Sequence, residues 1–322
     1  MPAMPSRATP TIPRIVEREQ MGLRRGRNVR GILLLDKPSG LTSNQALQRV
    51  KRLYRAAKAG HTGSLDPLAT GMLPICFGAA TKLAAYLLDA AKTYSVTARL
   101  GIATDTADAD GQVIERAEGE PPDTRNVCRV LESFVGEIEQ IPPMYSALKR
   151  DGQRLYDLAR RGIVVDREPR RVHIYEIALD EYAWPVLRFT VKCSKGTYVR
   201  TLVTDIAAEL GTLGHVAALR RLAVEPFDGD ELVAFERIEQ AAAEGPAALD
   251  ALLLPAESAL RNWPSVRVAS VHAEQLLRGQ SVPAADDWPV GLVRLEERVL
   301  GFLGVGEVLP ERRLAPRRML VG

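Results

Sequence analysis

Strand-like and helix-like stretches follow one another irregularly along this chain, and this order restricts the fold more than any other feature. A short apolar run at residues 31–36 precedes a helical pattern that begins after Thr42 or Ser43. Later, the alternating patterns at 172–182 and 186–193 come in direct succession, with no helix between them. Because successive parallel strands need a long crossover, this order predicts an α+β fold with a mixed, largely antiparallel central sheet and flanking helices.

Further elements of the main domain follow from the same patterns. Alternating apolar residues predict a strand at 93–100, and in the strand at 186–193 they place Phe189, Val191 and Cys193 on one face. Apolar residues at helical spacing predict helices at 79–89, 125–135, 155–161 and 201–210.

The chain divides into three segments by composition. Residues 1–30 contain seven arginines and two glutamates among prolines, without apolar periodicity, which predicts a disordered basic leader and leaves Met21 as an alternative start. Residues 31–262 hold the strand and helix patterns of the main domain. After Trp263 and Pro264, short apolar stretches at 266–268, 291–295, 299–305 and 319–321 predict a small β-rich domain at 265–322.

Several classes of protein and site find no support in the residues. No apolar run approaches the roughly 18 residues of a membrane helix. Three cysteines without paired spacing favour a reducing cytoplasm. The stretch at 104–111 resembles a calcium loop, but Thr106 and Ala117 occupy its first and twelfth ligand positions. Neither a nucleotide fingerprint nor metal-ligand histidine spacing is present, so we expect no cofactor and no metal.

The loop at residues 60–71 reads Gly-His-Thr-Gly-Ser-Leu-Asp-Pro-Leu-Ala-Thr-Gly, and it is dense in residues with special backbone properties. Asp66 precedes Pro67, which restricts its backbone and therefore the direction of its carboxylate. A carboxylate on such a loop suits a nucleophile or a general base. A lone aspartate before proline is usually part of a surface turn, but the whole twelve-residue string makes that interpretation weaker.

This loop closely resembles the catalytic motif of the TruB family, the bacterial tRNA pseudouridine-55 synthases. Similar stretches follow in order at 35–40, 92–94, 104–111, 142–149, 193–200 and 214–222. The last domain resembles the family's PUA domain over a shorter and weaker match. The resemblance implies the pseudouridine synthase fold with a PUA-like domain, and an isomerase that flips a T-loop uridine out of tRNA and converts it to pseudouridine.

The resemblance also implies catalytic roles for three residues. Asp66 is the nucleophile, and the sequence does not tell whether it attacks uracil C6 or ribose C1′. Arg200 is its charge partner, which we expect to lower the pKa of Asp66 and to hold the carboxylate bidentately. Tyr94 stacks on the uracil, and its hydroxyl assists removal of the C5 proton. By spacing alone, Arg200 and Tyr94 could equally be ordinary sheet residues.

Four further residues match substrate-binding positions of the family. Tyr198 and Leu219 form walls of the uracil pocket, although a leucine is more often plain core. His61 occupies the space that the flipped base leaves, while a lone histidine is otherwise usually structural. Asp108 matches an RNA-contacting position, where a carboxylate would accept hydrogen bonds from base or ribose groups.

Two basic clusters are candidates for contact with the phosphates of tRNA. The helix over 49–58 carries five basic residues, and residues 145–171 hold eight basic and four acidic ones. Such clusters are usually solvated faces, but the segment 142–171 resembles the insertion with which the family clasps RNA. We therefore expect tRNA, through its T-loop and T-stem, as the partner of a cytoplasmic monomer without an obligate protein partner.

Three other functions are compatible with parts of the sequence. A tRNA-folding chaperone would act independently of catalysis and would tolerate loss of the Asp66 carboxylate. An RNA-guided enzyme of the dyskerin type would need a guide, but the short tails and the complete insertion favour a stand-alone enzyme. A glycosidase using Asp66 would release free uracil.

Overall fold

The computed structural model describes residues 26–146, 148–150 and 152–320. In these ranges the main domain is built on one eight-stranded sheet, with two small hairpins beside it. Its strands in chain order are β1 (Gly31–Lys37), β2 (Ala59–His61), β3 (Thr70–Phe77), β4 (Lys92–Leu100), β5 (Ile102–Thr104), β6 (Val113–Arg116), β7 (Gly136–Gln140), β8 (Lys149–Arg150), β9 (Gln153–Arg154), β10 (Arg170–Ala183), β11 (Val186–Cys193) and β12 (Gly214–Val224).

The large sheet confirms the predicted mixed and largely antiparallel arrangement. Its strand order is β1-β3-β12-β4-β11-β10-β7, and β2 pairs with β3 on the edge opposite β1. Strands β3 and β12 run parallel, whereas every other neighbouring pair of this sheet is antiparallel. The single parallel pair brings the last two residues of the loop at 60–71 against Arg220 and Arg221 of β12, about 150 residues later in the chain.

Helices pack on both faces of the sheet and close its cores. In the described ranges they are α1 (Ser43–Leu53), α2 (Ala84–Asp89), α3 (Thr124–Ser133), α4 (Leu155–Ala159), α5 (Val199–Glu209), α6 (Phe235–Glu244) and α7 (Pro246–Asp250), with 3₁₀ helices at Gly78–Leu83 and Ala256–Leu260. Phe189, Val191 and Cys193 are buried against α3 and α5, which confirms the predicted inner face of β11.

The sequence left two candidates for the N-cap of α1, Thr42 and Ser43. The side chain of Thr42 accepts a hydrogen bond from the Gln45 amide, and the Gln45 side chain accepts one from the Thr42 amide. This reciprocal pair is a capping box. Ser43 is not the cap because its hydroxyl is engaged by the loop that precedes β3.

The C-terminal domain is a separate five-stranded sheet, as the turn-rich sequence predicts. Its order is β13-β15-β16-β17-β14, and one helix, α8 (Ser270–Leu277), was not predicted. The ring of Trp263 contacts Tyr86 edge-on at 4.9 Å, which joins this domain to α2. The strands are β13 (Ser265–Arg267), β14 (Val282–Pro283), β15 (Gly291–Glu297), β16 (Gly301–Val308) and β17 (Arg313–Met319).

Several predicted boundaries were wrong. Residues 1–25 of the predicted leader lie outside the described residues, but 26–30 pack on the domain, where Val29 is buried. The basic helix ends at Leu53, just before Arg55 adopts a left-handed backbone with φ +48°, and its Arg49 pairs with Glu239 at 2.5 Å. The final strand lies at 313–319 instead of 319–321.

Neither a metal-ligand cluster nor a membrane-spanning helix occurs among the described residues. Across residues 26–146, 148–150 and 152–320, no group of three or more histidine, cysteine, aspartate and glutamate side chains is placed to hold a metal ion. None of the helices in those same ranges has the length and apolar character needed to cross a bilayer.

Replacing Gly71 with alanine is expected to destabilise the domain by about 3 kcal/mol. Its φ is +96°, and a Cβ there would lie 2.3 Å from the carbonyl oxygen of Arg221, in the only stretch where β3 and β12 pair. The two strands would have to separate. Gly60→Ala is the matched control, because a Cβ at that position meets no atom within 4 Å. Denaturant unfolding of both variants measures the difference, and equal losses would contradict this reasoning.

Candidate active site

A cleft on the face of the sheet that α5 covers gathers most of the predicted residues. It has a volume of about 310 Å³. Strands β4 and β12, the loop before β3 and the start of α5 all contribute to its walls. Five predicted residues line it, namely Asp66, Tyr94, Tyr198, Arg200 and Leu219.

The backbone on both sides of Asp66 is held by the N-terminal part of the domain. The Ser43 hydroxyl accepts a hydrogen bond from the Leu65 amide (2.7 Å) and donates one to the Leu65 carbonyl (3.1 Å). On the other side, the fully buried Lys37 donates from Nζ to the Pro67 carbonyl at 3.4 Å. The last residue of β1 and the first residue of α1 therefore fix the position of the carboxylate, and both act through hydrogen bonds.

Arg200 contacts Asp66 directly, as predicted, but with a different geometry. Its Nε lies 2.9 Å from Asp66 Oδ2. The two terminal nitrogens donate to backbone carbonyls, Nη1 to Thr106 (3.0 Å) and Nη2 to Tyr145 (2.7 Å). The predicted bidentate contact is therefore wrong, because both terminal nitrogens are occupied. The guanidinium is instead fixed on three sides, and 7% of its side chain is exposed.

The pKa of Asp66 shifts in the opposite direction from the prediction. Enclosure by protein in the cleft raises it above its ordinary value, and this effect outweighs the lowering by Arg200. The nearby Asp108 raises the pKa of Asp66 further. Even so, 44% of the Asp66 side chain is exposed at the cleft opening. The carboxylate is thus accessible to a substrate and more basic than a surface aspartate.

Asp108 lies behind Arg200 and is buried, with 5% of its surface exposed. Its Oδ2 is 3.6 Å from Arg200 Nη1, and its Oδ1 accepts hydrogen bonds from the Thr106 hydroxyl (2.5 Å) and the Asp110 amide (3.1 Å). The carboxylate therefore shapes the loop whose Thr106 carbonyl holds Arg200. Its predicted contact with RNA stays a prediction.

Aromatic and apolar side chains form the walls beside the carboxylate. Tyr94 projects from β4 and packs on the core that α5 covers. Tyr198 is fixed by Gln140, whose side chain accepts from the Tyr198 amide at 3.0 Å. Leu219 closes the wall from β12 and is 8% exposed. Flat and apolar walls next to a carboxylate suit a planar base presented edge-on to Asp66.

His61 is not among the residues that line the cleft. It ends β2, opposite Ile75, and is half-buried. Its Nδ1 has no hydrogen-bond partner among the described residues. Burial and then the charge of Arg221 lower the pKa of His61, so the ring is neutral near pH 7. A neutral flat ring at this position is compatible with the predicted stacking role.

The sequence reasoning missed one residue of the site, Arg221. It lines the cleft, is 1% exposed, and donates from Nη2 to the Gly63 carbonyl of the loop at 3.1 Å. A signal was present, because alternation along β12 places residue 221 on the same face as the predicted Leu219.

Family models match nearly the whole described chain. The model of the "TruB family pseudouridylate synthase (N terminal domain)" matches residues 51–199. That of the "tRNA pseudouridylate synthase B C-terminal domain" matches 200–261. A third, "Pseudouridine synthase II TruB, C-terminal", matches 264–320, which is the separate five-stranded domain.

Relatives and solved structures agree with these matches. The tRNA pseudouridine synthase B of Stutzerimonas stutzeri is 51% identical over 91% of this chain and 96% of its own length, and that of Nitrosococcus oceani is 50% identical over 92% and 96%. A chain of a solved Cbf5-Nop10-Gar1 complex is 25% identical with a TM-score of 0.70, over 90% of this chain and 85% of that one. The chain therefore belongs to the TruB family and is a tRNA pseudouridine synthase, an isomerase.

Proposed function

We propose that the chain isomerises a uridine in the T-loop of tRNA and that Asp66 is its nucleophile. The observation that carries this proposal is the 2.9 Å contact between Arg200 and the solvent-accessible Asp66 carboxylate. The reaction breaks the bond between uracil N1 and the ribose, turns the base and rejoins it through C5. The carboxylate attacks uracil C6 or ribose C1′, and Arg200 keeps it oriented in either case.

A uridine inside a folded loop must leave its stack before Asp66 reaches it, at a cost of a few kcal/mol. We propose that Tyr94, Tyr198 and Leu219 hold the flipped base and that His61 fills the space it leaves. The Tyr94 hydroxyl would accept the C5 proton after the base has turned. Asp108 would act through the loop that holds Arg200, and any contact of Asp108 with RNA would need hydrogen-bond donors on a base or a ribose.

The segment 142–171 is the proposed contact with the T-stem. Arg160, Arg161 and Arg170 are exposed there, so their guanidinium groups are available to phosphates. Affinity for tRNA should then fall as salt rises, since each phosphate contact releases counterions. The enzyme would work in the cytoplasm as a monomer, without guide RNA or an obligate protein partner. The relatives of about 50% identity are tRNA enzymes and give no support to a chaperone function.

Incubating the purified chain with an unmodified tRNA transcript tests the proposal. We expect a single pseudouridine in the T-loop, formed without guide RNA and with equal yield in the presence of a chelator. Modification only at other positions, or only when a guide is added, would overturn the substrate assignment. Free uracil among the products would indicate a glycosidase instead.

The raised pKa of Asp66 predicts how the rate depends on pH. The nucleophile must be ionised, so the rate falls as the pH drops through the pKa of the folded enzyme. Because the cleft raises that pKa, the loss should begin at a higher pH than for an ordinary aspartate, whose pKa is about 3.9. Single-turnover rates across the acidic range, with unfolding monitored in parallel, measure the midpoint. A midpoint below the ordinary value would contradict the proposed environment.

A further inference from the structure

Arg221 is the largest fully buried side chain among the described residues. Two backbone carbonyls hold its guanidinium, with Nε donating to Met72 (2.7 Å) and Nη2 to Gly63 (3.1 Å). Its neighbours Arg200 and Arg220 form ion pairs, whereas no carboxylate of the described residues lies within ion-pair distance of Arg221. Burying a cation without a counter-charge is costly, which points to a functional reason for this one.

The side chain beside Arg221 is Tyr94. The two residues are direct cross-strand partners on β12 and β4, so their side chains lie next to each other on the same face of the sheet. Both line the cleft that contains Asp66. The Tyr94 side chain therefore has Arg221 as a direct neighbour within the cleft.

We propose that Arg221 is the positioning residue for Tyr94, holding its hydroxyl toward the flipped base and stabilising the phenolate that takes the C5 proton. This inference rests on the proposed role of Tyr94. The two carbonyl contacts fix the guanidinium before substrate arrives, so little reorganisation is needed when charge develops on the phenol. Arg221 itself touches neither of the bonds that change.

The step that Arg221 assists is redox-neutral. Once C5 is joined to ribose C1′, C5 still carries its hydrogen and the ring has a double bond between C6 and N1. The C5–H bond then breaks and its electron pair forms the C5–C6 double bond, while the C6–N1 pair moves to N1. The C5 proton passes to the Tyr94 phenolate, whose own proton has gone to solvent water beforehand, and N1 takes a proton from water.

Other groups around Tyr94 oppose the phenolate. Burial raises the pKa of Tyr94, and Cys193 on β11 and Asp66 on the loop raise it further. The charge of Arg221 lowers the pKa of Tyr94 and so partly offsets the effect of burial.

Arg221→Gln and Arg221→Lys test the proposal, with Arg220→Lys as a matched control. Arg220 is the adjacent residue on β12 and pairs with Asp36 at 2.8 and 2.9 Å. We expect Arg221→Gln to lower kcat by about 100-fold with KM within about threefold, and Arg221→Lys to recover about tenfold of that loss. A deuterium isotope effect on substrate deuterated at C5 should appear in the Gln variant, because C5–H cleavage becomes rate-limiting. Arg220→Lys should change kcat by less than about threefold.

The same substitutions in a Tyr94→Phe background separate a catalytic effect from a structural one. Phenylalanine lacks the oxygen that Arg221 positions, so in this background Arg221→Gln should lower kcat by less than about threefold. An equal loss of kcat in both backgrounds, or no isotope effect, would overturn the proposal. It would indicate that Arg221 only supports the loop at 60–71. Full activity of Tyr94→Phe alone would instead refute the proposed role of Tyr94. Should the Gln variant fail to fold, the Lys variant in the same cycle decides between these outcomes.

Discussion

Asp66→Asn is expected to abolish pseudouridine formation while tRNA binding stays within about threefold of the unchanged enzyme. The amide has the shape of the carboxylate but is neither ionised nor nucleophilic, so the covalent step is lost. We expect the single-turnover rate to fall by about 10⁴-fold or more. Rates measured on an unmodified tRNA transcript, and affinities measured at one fixed salt concentration, report the two quantities separately.

The control for this variant is Asp230→Asn. Asp230 also pairs with an arginine, Arg261, through contacts of 2.5 and 3.0 Å, but it lies outside the cleft. Asp230→Asn should change the rate of pseudouridine formation by less than about threefold, since surface ion pairs contribute little. Full isomerisation by Asp66→Asn would remove the proposed nucleophile. Loss of tRNA binding together with the rate would show that the carboxylate serves binding.

Arg200→Lys is expected to lower the rate by about 100-fold although the positive charge is kept. Arg200 forms an ion pair with Asp66 at 2.9 Å and donates to the carbonyls of Thr106 and Tyr145 at 3.0 and 2.7 Å. One ammonium group cannot reach all three acceptors in their fixed directions. A buried carbonyl left without its donor also costs about 1–3 kcal/mol, so the free energy of unfolding should fall.

Kinetics and denaturant unfolding together test this expectation. Rates must be measured where the Arg200→Lys variant is fully folded, so that the catalytic loss is not a loss of native protein. Arg188→Lys is a suitable control, because Arg188 pairs with Glu181 and both side chains are about half exposed. An unchanged rate in Arg200→Lys would show that charge alone, without the three-way geometry, suffices for Asp66.

Much of the fold was predictable because local patterns report local structure. The inner face of β11 followed from alternation, and the antiparallel character followed from two successive strand patterns without a helix between them. The ends of the helices, strands and domains were harder to predict, since they depend on tertiary contacts. Val29 lies in a basic, proline-rich segment, yet it is buried against the main domain. Helix α8 was not predicted, because the short apolar stretches between turns in this domain indicated only β structure.

The sequence by itself determined which chemistry the chain carries. The glycine-rich loop with Asp66 before Pro67 pointed to the proposed nucleophile, and the resemblance to the TruB family pointed to Arg200 as its cationic partner. Only the tertiary structure decided the properties of these groups. The pKa of Asp66 and the pairing of Arg221 with Tyr94 depend on solvent exclusion and on contacts between strands separated by more than 120 residues. Such contacts arise when the sheet closes, and no local pattern along the chain encodes their distances.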